Sequence, residues 1–209
     1  MAEALTYSSL LSDVQVYAER SDNPFVQQIP RFVMLAENRL ASEVRGLGTQ
    51  KFATGVLNGA VLSKPERWRE TVSISLTVNS ERVYLQPRSY EYCRTYCPDP
   101  SVTGVPRYYA DYQYEHFLFA QTPAAQYPFE LAYYERPEPL STSNETNWLT
   151  QYTPQLLLYA TLVEAQPFLK RPERIAEFQA LYDRALQGLA QETSRRVGGD
   201  RASTTRTGE

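Results

Sequence analysis

The chain is poor in the side chains that most enzymes rely on. Its 209 residues include one His, two Cys, two Trp and two Met. One imidazole and two thiols cannot build a four-ligand zinc site without carboxylate help. Nucleophilic catalysis of the Ser–His–Asp or Cys–His kind would have to run through His116 alone. Cys93 and Cys97 stand four apart in a stretch that reads as a short helix. A disulfide there would be strained, so both are expected as reduced thiols. Positive charge is not in excess either. Twenty-one basic residues against 24 acidic ones leave a formal charge of −3, which argues against a duplex-binding surface. Long apolar runs are absent as well. The richest, Leu156-Leu157-Leu158-Tyr159-Ala160, is far short of the roughly 18 residues that cross a bilayer, so no membrane partner is expected. The first residues, Met1 to Thr6, lack a basic stretch followed by an apolar one, so no signal peptide is expected and the chain reads as made in the cytoplasm.

What is abundant is tyrosine. There are 16, and eleven of them lie between Tyr84 and Tyr134. A ring with a hydroxyl tip suits half-wet packing, as at interfaces. The tyrosine signal therefore points to one segment, and several of its rings are expected to meet partner chains.

Periodicity divides the chain. Residues 5–47 read as helical: Leu10, Val14 and Tyr17 share a face, with Thr6 or Ser8 as a cap. Asp22 and Asn23 before Pro24 break and restart the helix. Ile29, Phe32, Val33, Ala36, Leu40, Val44 and Leu47 then form a strong apolar stripe, which Gly46 or Gly48 ends. Between Thr49 and Leu140 the period becomes two. Val72, Ile74, Leu76 and Val78 alternate with Ser73, Ser75 and Thr77, and Val83 to Leu85 resume after a turn at 79–81. Ser89 to Cys97 reads as a short helix. Arg107 to Ala120 reads as one long strand, and Tyr127 to Tyr134 as its antiparallel partner across a long loop. Lys51 to Leu62 suggests a projecting hairpin with Asn58-Gly59 at its tip. Helix returns after Ser141. Thr153 and Pro154 start one helix that Pro167 interrupts, and Pro172 opens the last, with Ile175, Phe178, Leu181, Tyr182, Ala185 and Leu189 on one face.

The expected architecture is α+β. Residues 1–47 and 141–193 form one helical body, 48–140 an inserted antiparallel β-rich module, and 194–209 a flexible basic C-terminal arm. That arm carries Arg195, Arg196, Arg201 and Arg206 against Asp200 and Glu209, a net +2, which leaves −5 on the rest.

Each chemical possibility has a plainer rival. His116 shares a strand face with Tyr112 and Tyr114, but no motif supplies a nucleophile or an orienting carboxylate, so a packed, hydrogen-bonded His is the better account. Asp111 and Glu115 fall on the other face, too far apart for a glycosidase pair. Gly55-x-x-x-Gly59 lacks the Gly-Lys-Ser/Thr end of a phosphate loop. Its apolar neighbours Val56, Leu57, Val61 and Leu62 are either an ordinary core strand or an exposed tip that docks on a neighbour. Arginines beside aromatics (Arg67-Trp68-Arg69, Arg88-Ser89-Tyr90, Arg107-Tyr108-Tyr109) suit stacking on single-stranded nucleic acid. Interleaved Glu66, Glu70, Glu91 and Asp111 break any basic stripe, which favours packing within the fold.

A set of segments, in order, resembles a known family. They are Ile29-Pro30-Arg31-Phe32 with Ala36-Glu37-x-Arg39-Leu40 and Arg45, then Leu85 to Tyr92, then Gly104 to Ala110. Thr122-Pro123, Tyr127 to Tyr134, Leu140-Ser141, Thr146 to Leu149 and Leu156 to Ala165 follow. Over about residues 7–190 the chain resembles the head-to-tail adaptor (connector) proteins of tailed bacteriophages, especially short-tailed ones. The resemblance implies a non-enzymatic virion protein at the head–tail junction, without cofactor or metal. It implies a homo-oligomeric ring of twelve copies beneath the portal protein, joined below to tail nozzle or fibre proteins, with DNA passing through unbound. It also implies that a C-terminal arm clasps the portal, which assigns Arg195, Arg196, Arg201 and Arg206 to docking. Val56, Leu57, Val61, Leu62, Tyr112 and Tyr114 are assigned to contacts with subunits or tail. Two rivals stay open: a tail-associated carbohydrate-binding module or hydrolase, suggested by the tyrosine-rich strands, and a single-stranded nucleic-acid binder.

Overall fold

A computed structural model describes residues 5–46, 48–170 and 172–198. The fold is α+β, and it separates into two compact units: Met1–Thr49 with Arg136–Glu209, and Gln50–Glu135.

The first unit is helical. Helix α1 (Tyr7–Ala18) starts at Thr6, whose hydroxyl accepts from Ser9 N in a capping box, and stops at Glu19 in the left-handed region. Asp22 caps the short α2 (Asn23–Val26), with proline early in the helix, and α3 follows (Ile29–Glu43). After the β unit come α5 (Trp148–Tyr152), α6 (Pro154–Leu169) and α7 (Pro172–Gly198). The stripe of α3 buries Ile29, Phe32, Val33, Ala36 and Leu40 against Leu156, Leu157, Ala160 and Leu162 of α6 and Phe178 and Tyr182 of α7. Apolar area removed from water, at roughly 25 cal/mol per Å2, is the main stabilising term for this cluster. Phe25, Phe32 and Phe168 form a ring trio with centroids 5.8–6.2 Å apart, and Arg20 lies over Phe25 and Phe168.

Pro167 does not interrupt α6, as the sequence suggested. It sits within the final turn, where its missing N–H leaves only one carbonyl unpaired, and the helix ends at Lys170 in the left-handed region. Thr153 does not cap α6 through its side chain either. Its hydroxyl turns back to Leu149 O at 3.2 Å, because the short helix α5 runs almost directly into α6. Ile175 lies exposed and off the buried stripe of α7.

The second unit is a sandwich of two four-stranded sheets. The first has the order β1-β10-β3-β4, from β1 (Gln50–Leu57), β10 (Tyr127–Glu135), β3 (Trp68–Val78) and β4 (Glu81–Tyr84), and every pairing in it is antiparallel. The second has the order β2-β8-β7-β5, from β2 (Val61–Ser63), β8 (His116–Ala120), β7 (Tyr108–Tyr112) and β5 (Gln86–Pro87). Leu57, Ile74, Leu76 and Leu131 of the first sheet meet Tyr109, Phe117 and Phe119 of the second in a shared core. The short helix α4 (Tyr90–Tyr96), capped by Ser89, covers the other face of the second sheet, where Cys93 packs on Ala110, Leu118 and Ala120. A small parallel pair, β6 (Thr103–Gly104) with β9 (Thr122–Pro123), completes the unit.

Three strand readings change. Arg107 to Ala120 is a hairpin: Tyr112 pairs with His116 across a three-residue turn, with Gln113 at φ 55°. Tyr127 to Glu135 does not pair with that hairpin but lies between β1 and β3 at the centre of the other sheet. Lys51 to Leu62 is no hairpin either. β1 pairs with β10, β2 pairs with β8, and Asn58-Gly59 carries the chain from one sheet to the other.

Candidate functional site

The first sheet turns a broad outer face to solvent. Directly paired residues in a sheet point to the same side, so the register places Thr54, Glu130, Ser75 and Tyr84 in one row across all four strands. Phe52 and Val56 flank Thr54 on that side of β1, and Arg82 lies two residues before Tyr84 on β4. Phe52 is 64% exposed, Tyr84 60% and Val56 51%. Large apolar groups left in water on one face are the usual mark of a partner surface. Arg82 reaches back across this face to Glu130, at 2.8 and 3.3 Å.

The expected neighbour-contact residues 56, 57, 61 and 62 do not form one patch. Val56 sits on the outer face just described, and Val61 is exposed on the face of the second sheet that carries its partner Leu118. Leu57 points the other way and is 1% exposed, inside the sandwich core, and Leu62 packs partly on the same core. Leu57 is thus corrected from a contact residue to a core residue. Alternation along β1 puts Val56 outward and Leu57 inward.

The tyrosine-rich region resolves into a cluster built by α4 and β7. Tyr90 stacks on Tyr112 at 5.8 Å, and Tyr108 meets Tyr92 and Tyr96 edge-on at 5.3 and 4.9 Å. Arg88 lies over Tyr92 and Tyr108, and Arg94 over Tyr90. Tyr112 is therefore engaged within its own chain, and Tyr114 stands exposed at the β7–β8 turn. The arginines beside Tyr90, Tyr92 and Tyr108 serve internal packing. The tyrosine Tyr108 ionises less readily than usual, chiefly through its hydrogen bond to Tyr92.

The residues weighed for chemistry have structural employment. Asp111 holds Lys64 Nζ at 2.7 Å, and that ammonium lies 3.7 Å from the Trp68 ring centroid, with its side chain almost wholly buried. His116 is half-buried, and its Nδ1 is shielded with no hydrogen-bond partner, so the expected bond to that atom is not formed. Among the described residues no group of three or more His, Cys, Asp or Glu is placed to hold a metal ion. No helix among them is long and apolar enough to cross a membrane. Cys93 and Cys97 are both free thiols.

In the helical unit the most perturbed carboxyl is Glu37, on α3. It accepts from Leu140 N at 3.1 Å and from Asn147 Nδ2 at 2.9 Å. Burial raises it to about 7 despite these donors, which pull the other way. The same unit has an apolar groove beside the end of α7, lined by Val44, Trp148, Tyr152, Leu189 and Arg196. Arg195 and Arg196 lie in the final turn of α7, so this part of the expected arm is helical. Arg196 pairs with Glu192 at 2.5 Å. Arg201 and Arg206 lie outside the described residues.

No curated protein matches the chain. The model of the SU10 adaptor protein family matches residues 5–207, nearly the whole sequence. That match, over both the helical unit and the β unit, places the chain in the SU10 adaptor protein family, and the chain is a bacteriophage head-to-tail adaptor.

Proposed function

We propose that the chain forms a homo-oligomeric ring of twelve copies beneath the portal protein of a phage and joins the capsid to the tail nozzle or fibres. It acts there without catalysis, made in the host cytoplasm and built into the virion at the head–tail junction. The observation that carries this reading is the family match across residues 5–207. Two features are in keeping with it. The charge outside the last sixteen residues is −5, so a passage lined by the body repels DNA instead of gripping it. The first sheet also leaves Phe52, Val56 and Tyr84 in water on one face, as a subunit that is completed by neighbours would.

Docking to the portal falls to Arg195, Arg196, Arg201 and Arg206, and contact with subunits or tail to Val56, Val61 and Tyr114. Arginine at a helix end offers forked donors to carboxylates on a partner. The rival carbohydrate-binding reading needs open aromatic platforms, and Tyr112 already has Tyr90 stacked on it. A phage carrying a nonsense codon in this gene tests the function. The reading expects DNA-filled heads without tails, and complete infectious particles would contradict it.

A further inference from the structure

We propose that neighbouring copies join edge to edge through the first β sheet, β4 of one copy pairing antiparallel with β1 of the next, so that a continuous β belt runs around the ring. The inference rests on the ring reading above and adds the joint to it.

The β1 edge is unprotected. It is eight residues long, pairs with β10 without a bulge, and carries one charge, Lys51, and no proline. Proteins commonly blunt an exposed edge with charge, proline, bulges or brevity, because its unpaired N–H and C=O groups bind another strand. Among the described residues no backbone hydrogen bond joins 50–57 to anything other than β10. An extended strand from another chain is the protein partner that such an edge fits.

The chain supplies that backbone itself. β4 forms the opposite edge of the same sheet, and a heterologous ring needs two different surfaces on opposite sides of one subunit. Strand direction also fits. All three pairings are antiparallel and the number of strands is even, so β1 and β4 run in opposite directions. Repeating the sheet by a rotation that preserves its orientation sets β4 against the next β1 in antiparallel sense, and the ladder continues unbroken across the joint. The outer face continues with it. Tyr84 of one copy then stands beside Phe52 and Val56 of the next, removing from water the three most exposed apolar groups on that face. The other edges offer less, since β2 has three residues and β5 has two, one of them proline.

Cysteine cross-linking tests this on the chain assembled with its portal protein. Cys97→Ser removes the accessible native thiol, and buried Cys93 stays. Into that background go F52C, T54C and V56C singly, R82C and Y84C singly, and each β1–β4 pair together. Cross-strand neighbours lie about 4.5–5.5 Å apart, within disulfide reach. The expected result is a ladder of covalent multimers for at least one pair, and no multimers from any single variant. If rings are imaged and no pair cross-links, the edge pairing is wrong while the ring stands. If F52C, T54C or V56C alone gives dimers, β1 pairs with β1 and the belt is overturned. If no ring forms, the ring reading itself fails. A second variant, Val56→Lys, is expected to raise the concentration for half-assembly at least tenfold with an unchanged melting temperature. Unimpaired assembly of that variant would count against the joint.

Discussion

Asn147 Nδ2 donates to Glu37 Oε1 at 2.9 Å, joining the cap of α5 to a carboxyl group buried on α3. The Asn147 amide serves two elements, because its Oδ1 also accepts from Leu149 N at 2.9 Å and Thr150 N at 3.3 Å. Its Nδ2 reaches Glu138 O as well, so the chain is pinned where it returns to the helical unit.

Stability should therefore depend on pH in a defined direction. Glu37 rises from 4.5 to about 7 on folding because burial disfavours the carboxylate. The folded state then holds the proton more tightly than the unfolded chain. This contribution is fully present below about pH 4.5 and is lost as pH rises through about 7. Urea unfolding at pH 5 and pH 8 should show a loss on the order of 1–3 kcal/mol assignable to Glu37. Glu37→Gln should remove that part of the slope, and an unchanged slope in the variant would contradict the assignment.

Asn147→Ala removes the cap and one of the donors to Glu37 together. A lost cap costs about 1 kcal/mol, and a buried carboxyl left short of a donor adds about 1–3 kcal/mol. Denaturation at pH 8 should show a larger loss than at pH 5, where Glu37 is protonated in the fold. Equal losses at both pH values would separate the two residues energetically.

Gly48 lies against Trp148. A Cβ at position 48 would come within 2.1 Å of Trp148 Nε1, closer than any contact the indole can tolerate. Gly48→Ala should displace the ring and cost about 1–3 kcal/mol, read as a lowered melting temperature with altered tryptophan fluorescence. Native-like stability and spectrum would show that the indole moves freely.

Adjacent residues of β1 should behave oppositely. Leu57→Ala should cost about 2–5 kcal/mol in the chain by itself, through the cavity it opens in the sandwich core. Val56→Ala should stay within about 0.5 kcal/mol. Chemical denaturation of the unassembled chain measures both, and a larger loss for Val56→Ala than for Leu57→Ala would mean that the inward and outward positions are reversed.

Arg195→Glu with Arg196→Glu should weaken capture by the portal protein without shifting the melting temperature, since both side chains are exposed. Portal binding by the unaltered chain should fall with added salt as screening shortens the reach of these charges. Binding that is indifferent to both changes would release these residues from docking.

Much of the helical unit could be read from periodicity. The Ile29–Leu40 stripe and the Thr6 and Asp22 caps are local devices, visible within a turn or two. Strand partners are not local. Nothing in Tyr127–Glu135 says that it pairs with β1 and β3 instead of the nearer hairpin, because register depends on which face meets which core. The same blindness hid the role of Leu57, whose side is set by strand alternation once β1 is known to belong to a sheet. Concentrated tyrosine did locate a module, but not the split inside it. Tyr90, Tyr92, Tyr108 and Tyr112 pack on one another, while Tyr84 alone stands at the open edge of the first sheet. Glu37 gave a signal only within the resembling segments, since a buried carboxyl looks like any surface glutamate on a helix.

The most direct measurement is electron microscopy of the chain mixed with its portal protein at high concentration. The account predicts closed rings of the chain seated coaxially on the portal. Persistent monomers, with no ring on any portal particle, would contradict it.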